Sequence, residues 1–180
     1  MKGIVFVKFN EFIEELWGDT FWDELLDEAD LPSEGAYTTV VTYDDQELFK
    51  LIGLVADRQN ISEREAQFAF GKWVFKEFYS IAPSGAHDFE DVFEFLHAVQ
   101  DFIHVEVKKL NPNALVPEFK FLSETSNKLS FHYISPRQLC FFCEGIVHGL
   151  AQQIGQAVNV SQSECEHEGG QRCVLVVEKV

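Results

Sequence analysis

Two histidines, one polar triplet and four cysteines are the residues here whose types and spacing can do chemistry. His97 and His104 stand seven apart in FEFLHAVQDFIHVEVKKL, so two α-helical turns put both on about the same face. An imidazole on an apolar helix face is either a core histidine hydrogen-bonded to a neighbour or an axial ligand to a haem iron. Tyr133-x-Ser135-x-Arg137 supplies two hydroxyls and a planar fork of donors suited to gripping a carboxylate at two points. On a strand, alternate residues share a face and the three converge, while Pro136, lacking a backbone donor, marks the strand's end. Cys140 and Cys143 lie one helical turn apart. Cys165 and Cys173 flank Glu168-Gly169-Gly170-Gln171, a turn that sets them opposite each other, and His167 shares the strand parity of Cys165. Thiolates with an imidazole make a zinc set. The same residues also read as redox-sensing thiols or as plain buried cysteines.

These residues need elements to hold them. Phe95, Leu96, Val99, Phe102, Ile103 and Leu110 recur at helical period, so the histidines sit on a helix from about Asp88 to Leu110. Before it the spacing predicts helices over 2–17, 21–29, 44–59 and 62–78. Gly18 stops the first, Asp19 and Thr20 can cap the second, and Asp44…Glu47 and Ser62…Glu65 show capping-box spacing. Residues 33–43 read as loop with a short extended piece at 37–42, and Ala82-Pro83-Ser84-Gly85 as loop. Asn111-Pro112-Asn113 ends the helical half. Glu118–Leu122 and Lys128–Tyr133 alternate with period two around a turn, a β-hairpin. Helical spacing returns over 137–156, then strands at 157–160 and 172–177. The fold class is α+β: a helical subdomain (1–112), then a ββαββ subdomain (113–180) with a small antiparallel sheet, one domain of 180 residues.

Composition narrows the partners. Lys and Arg number 14 against 30 Asp and Glu, a net charge of −16. This argues against nucleic acid or an anionic membrane, both of which need clustered positive charge. No run approaches the roughly 20 apolar residues of a membrane span. The opening MKGIVFVKFNEFIEEL turns charged too early for a signal peptide, so a cytoplasmic protein with reduced thiols is expected. Eighteen Phe against a single Met give an aromatic interior that would also suit a flat apolar ligand. No Ser-His-Asp order, P-loop or paired-carboxylate motif stands out, and no enzyme is expected.

With Met1-Lys2-Gly3, His104, Pro117 thirteen residues later and Tyr133-x-Ser135-x-Arg137, the whole chain resembles the haem-nitric oxide/oxygen binding family, H-NOX. The resemblance implies haem b held between the two subdomains. His104 is its axial ligand (His97 lacks the fixed distance to Pro117), and Tyr133, Ser135 and Arg137 bind the propionates. Pro117 packs against the porphyrin and distorts it. Val5, Phe9, Val74, Phe78 and Phe142 complete the pocket, with the first helix on the distal side.

Oxygen-binding members place a tyrosine where this chain has Phe142, and polar distal groups where it has Phe9 and Val74. Bound O₂ carries partial superoxide charge and gains from a donor, whereas ferrous NO gains little, so an apolar pocket favours NO by not rewarding O₂. The resemblance therefore implies a sensor of NO, also binding CO. Rupture of its iron–His bond would signal to a separate histidine kinase or cyclic-di-GMP enzyme. The alternatives are a redox sensor working through the cysteines and an oxygen-binding haem protein. Some relatives bind zinc at the matches of Cys140, Cys165 and Cys173 with a His where Gln162 stands here, which leaves Cys143 or His167 to complete the set.

Overall fold

A computed structural model describes residues 1–82, 84–110, 112 and 114–180, with Ser84 as backbone alone. Two of the loops read from the sequence fall partly beyond it, since Pro83, Asn111 and Asn113 lie outside the described residues. The helical half comprises α1 (Gly3–Trp17), α2 (Asp19–Ala29), α3 (Asp45–Gln59) and α4 (Glu63–Ser80). A 3-10 turn follows at Ser84–Asp88. Then one continuous run contains α5 (Val92–Ala98), a π-helical turn (Val99–Ile103) and α6 (His104–Leu110). The second half is β1 (Glu118–Glu124), β2 (Lys128–Ile134), α7 (Cys140–Ile154), β3 (Val158–Glu164) and β4 (Cys173–Lys179). An α+β fold with a small antiparallel sheet is what the alternating and helical spacings predict.

The ends of the elements show what the sequence signals do. Ser62 and Glu65 form the full capping box at the start of α4. At α3 the box is only half made: the Asp44 side chain accepts from Gln46 N–H, but Glu47 does not reach back. It is buried, accepting hydrogen bonds from the Ser33 and Tyr37 hydroxyls, and so pins the 33–43 loop over α1, where Tyr37 stacks on Phe6 at 4.4 Å. The extended piece expected at 37–42 shrinks to a single bridge between Lys2 and Thr42.

The sheet runs β1-β2-β4-β3, all pairs antiparallel. One row crosses it as Phe119–Tyr133–Cys173. The hydrophobic interior falls into two clusters. One joins α1, α2, α3 and much of α4. The other joins the sheet and α7 with Val92, Phe93, Phe95 and Leu96 of α5. The helix bearing His97 and His104 therefore packs with the sheet, and the physical division of the core does not follow the chain's division near 112. The apolar stripe of α5 packs against α7 and, through Phe95, against Phe75 and Tyr79 of α4.

α4 and α7 hold the clusters together through the most extensive contact between elements. Their crossing needs glycine. A Cβ on Gly145 would lie 2.2 Å from the Phe68 carbonyl oxygen, and one on Gly71 2.2 Å from the Phe142 carbonyl oxygen. Both obstacles are backbone and cannot swing aside. Gly145→Ala should destabilise the protein by about 1–3 kcal/mol through overpacking, read as a lower denaturant midpoint at unchanged slope.

Candidate functional site

His104 is placed by the π turn before it. Asp91 starts the helix, accepting from the Phe93 and Glu94 N–H groups. It is fixed in turn by Lys179 at 2.5 Å and Gln156 at 3.1 Å. Five residues of α5 are buried before the helix widens, and the His104 N–H donates to the Val99 carbonyl, the five-residue closure of a π turn. The imidazole packs edge-on against Phe119, ring centres 5.7 Å apart, and its Nδ1 is buried with no hydrogen-bond partner. Loss of hydration, with the Lys108 charge adding to it and the Pro117 carbonyl opposing, pushes its pKa down to about 4. At neutral pH the ring is uncharged, the form that donates a lone pair to a metal.

His97 is held differently. The π turn takes it out of step with His104. It stacks on Phe121 at 3.9 Å, with Nε2 2.9 Å from the Glu124 carboxylate, in a pair open to solvent. Pro117 lies half-buried just before β1, leading directly into Phe119.

The five residues expected, with Pro117, to line the pocket come together in the other cluster. Phe9 and Val74 are fully buried, and Val5, Phe78 and Phe142 pack against them. Phe70 links Phe9 (5.0 Å between ring centres) to Phe142 (5.3 Å). None of the five side chains carries a hydrogen-bond donor.

Tyr133, Ser135 and Arg137 sit at the end of β2, but strand parity accounts only for the first two. β2 ends at Ile134, and Ser135–Gln138 is a turn closed by Gln138 N–H to the Ser135 carbonyl. Arg137 N–H donates to Ser135 Oγ, so the turn, not the strand, aims the guanidinium. Tyr133 is buried, and burial first, then the nearby Cys143, pushes its phenol pKa up, with Ser135 opposing. Arg137 Nε donates to Asp45 at 2.7 Å and Nη1 to the Leu115 carbonyl at 2.6 Å. Nη2 has no partner among the described residues. Asp45 also meets the Met1 ammonium at 2.5 Å. Burial raises its pKa, but hydrogen bonds from Met1 and Arg137 outweigh that and hold it below the usual carboxylate range.

A neutral imidazole on one core, a donor-free aromatic set on the other and a guanidinium at the edge are what a buried, dianionic, iron-bearing macrocycle would need. Comparison with known proteins agrees. The family model Haem-NO-binding matches residues 2–162. The chain belongs to the Haem-NO-binding family. An H-NOX protein from S. oneidensis in the Fe(II)NO state is 31% identical, with a TM-score of 0.92, 100% of this chain and 99% of that one being covered. One from Shewanella woodyi in the Fe(II)CO state is 32% identical (TM-score 0.83, coverage 100% and 95%). The A71G mutant of the K. algicida protein, Fe(II) and unliganded, is 26% identical (TM-score 0.92, coverage 100% and 97%). As a Haem-NO-binding chain it is a haem-binding gas-sensor domain, and the residues present fit that group, the orphaned Nδ1 of a neutral His104 above all.

The Haem-NO-binding fold also gathers the thiols. Cys140 opens α7, Cys165 follows β3 and Cys173 opens β4. Their sulfurs lie within 4.8 Å of one another, all buried, with Cys140 and Cys165 at 3.8 Å. Neither residue expected to complete the set reaches it. Cys143 is buried one turn further along α7, outside the group. His167 falls in a 3-10 turn (Glu166–Glu168) that ends its strand parity with Cys165, and its Nε2 lies 2.7 Å from the Gln138 carbonyl. Gln162 donates from Nε2 to Glu144 at 2.7 Å, and its buried Oε1 has no partner among the described residues. Glu166 lies 3.8 Å from Cys173 Sγ. Burial raises the pKa of Cys140 and of Cys173, so without a cation both stay protonated. Sequence reasoning missed Asp45, Gln100 and Phe119. Only Asp45, an acid beside a helix cap, carries any sequence signal.

The depressed imidazole has a pH consequence. The unfolded chain takes up a proton near 6.5 and the folded chain only near 4, so between those values the unfolded state binds more protons and stability falls with falling pH. In haem-free protein His104→Phe should abolish a loss of up to about 3 kcal/mol between pH 7 and pH 4, measured by urea unfolding at each pH.

Proposed function

We propose that this chain is a cytoplasmic haem b sensor of nitric oxide, also able to bind CO, with no catalytic role of its own. Haem, when bound, would supply a ferrous iron able to take diatomic gases. His104 would hold the iron as its protein ligand. The free Nη2 of Arg137, with the Ser135 and Tyr133 hydroxyls, takes the propionates, and Pro117 packs against the ring from the His104 side. Haem is held between the helical subdomain, to about residue 112, and the ββαββ subdomain. The single observation supporting the choice of gas is that Phe9, Val74 and Phe142, gathered in the helical cluster, carry no donor, while His104 is neutral. Release of His104 would free the α5–α6 helix to move, a differential contact that a separate histidine kinase or cyclic-di-GMP enzyme could read.

The Soret band of the reduced protein should be unchanged under air and shifted under NO. Phe142→Tyr adds a phenol donor worth about 0.5–1.5 kcal/mol and should slow loss of O₂ or allow weak O₂ binding. A stable O₂ spectrum in the wild type would contradict the reading and would point to Asn10, beside Phe9 on α1, whose Nδ2 is buried without a partner.

The Cys140, Cys165 and Cys173 group supports a second role. Three buried sulfurs within 4.8 Å would supply three ligands to a structural zinc, and Glu166, 3.8 Å from Cys173 Sγ, would offer a carboxylate as the fourth. Zinc would lower the thiol pKa values that burial raises and lock α7 to the β3–β4 turn. Elemental analysis of protein purified without added metal should find about one zinc per chain. Absence of zinc together with ready oxidation of Cys140 and Cys165 would favour the redox-sensor reading.

A further inference from the structure

Gln100 lies within the π turn and its side chain leaves the helix altogether. Its Oε1 accepts the backbone N–H of Phe119 at 2.7 Å. β1 is an edge strand of the sheet, so this N–H is the kind of group that would otherwise need water or another chain. Phe119 is the residue whose ring packs on His104. The backbone of Gln100 matters as well. In the π turn the His104 N–H donates to the Val99 carbonyl; in an uninterrupted α-helix its acceptor would be the carbonyl four residues back, that of Gln100. Gln100 therefore stands where the two helical registers diverge, tied by its side chain to the strand that supports the imidazole.

We propose that Gln100 is a positioning residue for the iron ligand: its bond to Phe119 N–H holds the π turn and thereby fixes the orientation of the His104 ring. This rests on His104 being the haem ligand. π turns are rare and are kept where a local constraint outweighs the regular helix. Here none of the turn's five residues is fully buried; Val99 and Ile103 pack against the sheet cluster from its edge, and the Gln100–Phe119 bond adds the polar tie that joins the turn to β1. It also gives the helix a defined hinge. With Gln100 anchored on β1, a pull or release at His104 is taken up by the turn and not by α5, whose start is clamped by Asp91, Gln156 and Lys179.

The test uses Gln100→Met, which keeps an unbranched helix-forming side chain but loses the acceptor, and Gln100→Glu, which restores an acceptor. Two quantities are read: amide hydrogen exchange at Phe119 and His104 in haem-free protein, and the iron–His stretching frequency of the reduced haem-loaded protein. In Gln100→Met both amides should exchange at least tenfold faster and the stretching frequency should shift, at wild-type haem content. Gln100→Glu should return both towards wild type. Unchanged exchange and frequency in Gln100→Met, or equal shifts in the two variants, would overturn the role of the acceptor while leaving His104 as ligand. Absence of an iron–His band in the wild type would overturn the haem-ligand reading itself, and this inference with it.

Discussion

A histidine side chain stripped of its water cannot stay protonated at neutral pH without a counter-ion, and at His104 no carboxylate is supplied. Among the described residues, the charge that shifts it is that of Lys108, which makes protonation harder still. The site is thereby committed to a neutral imidazole, whose Nδ1 is buried with no hydrogen-bond partner among the described residues. The surrounding structure serves that commitment. Asp91 fixes where the helix begins, the π turn sets which way residue 104 looks, and Phe119 supports the ring from the edge of the sheet. His97 shows the contrast. Seven residues earlier on the same helix, it has Glu124 beside it and solvent around it, and it reads as a surface pair.

The two apolar clusters are joined at one end by the glycine-lined crossing of α4 and α7 and elsewhere by a small charged chain. Met1, Asp45 and Arg137 come from the start of α1, the start of α3 and the turn after β2. Exposed ion pairs contribute little, but these groups are largely covered, and removing Asp45 would strand two cations. Nη2 of Arg137 has no partner among the described residues. The distal aromatics belong wholly to the first cluster and His104 to the second, so a group bridging them would report on their separation.

Much of this is legible in the sequence, for reasons that differ by element. The α4 capping box, the Glu118–Tyr133 hairpin and the stripe of α7 follow from local chemistry and periodicity. The α3 box fails because Glu47 finds better partners in Ser33 and Tyr37, a tertiary choice that spacing cannot reveal. The π turn is invisible to a search at 3.6-residue period, and it breaks the inference that His97 and His104 share a face. Arg137 is placed by a turn in which Gln138 takes positive φ (52°), so the strand-parity argument locates its neighbours but not the guanidinium itself. His167 fails as a partner for the cysteines for the same kind of reason: a single 3-10 turn removes it from the strand on which its parity was counted. Gln100 carries no sequence signal, because its partner is a backbone N–H.

The claim on which the rest stands is that His104, and not His97, holds the haem iron. The direct measurement is the resonance Raman spectrum of the reduced, haem-loaded protein in wild type, His104→Gly and His97→Gly, each with and without added imidazole. The account predicts an iron–nitrogen stretching band in wild type and His97→Gly, its loss in His104→Gly, and its return there when imidazole is supplied. A band that persists in His104→Gly and disappears in His97→Gly would contradict it.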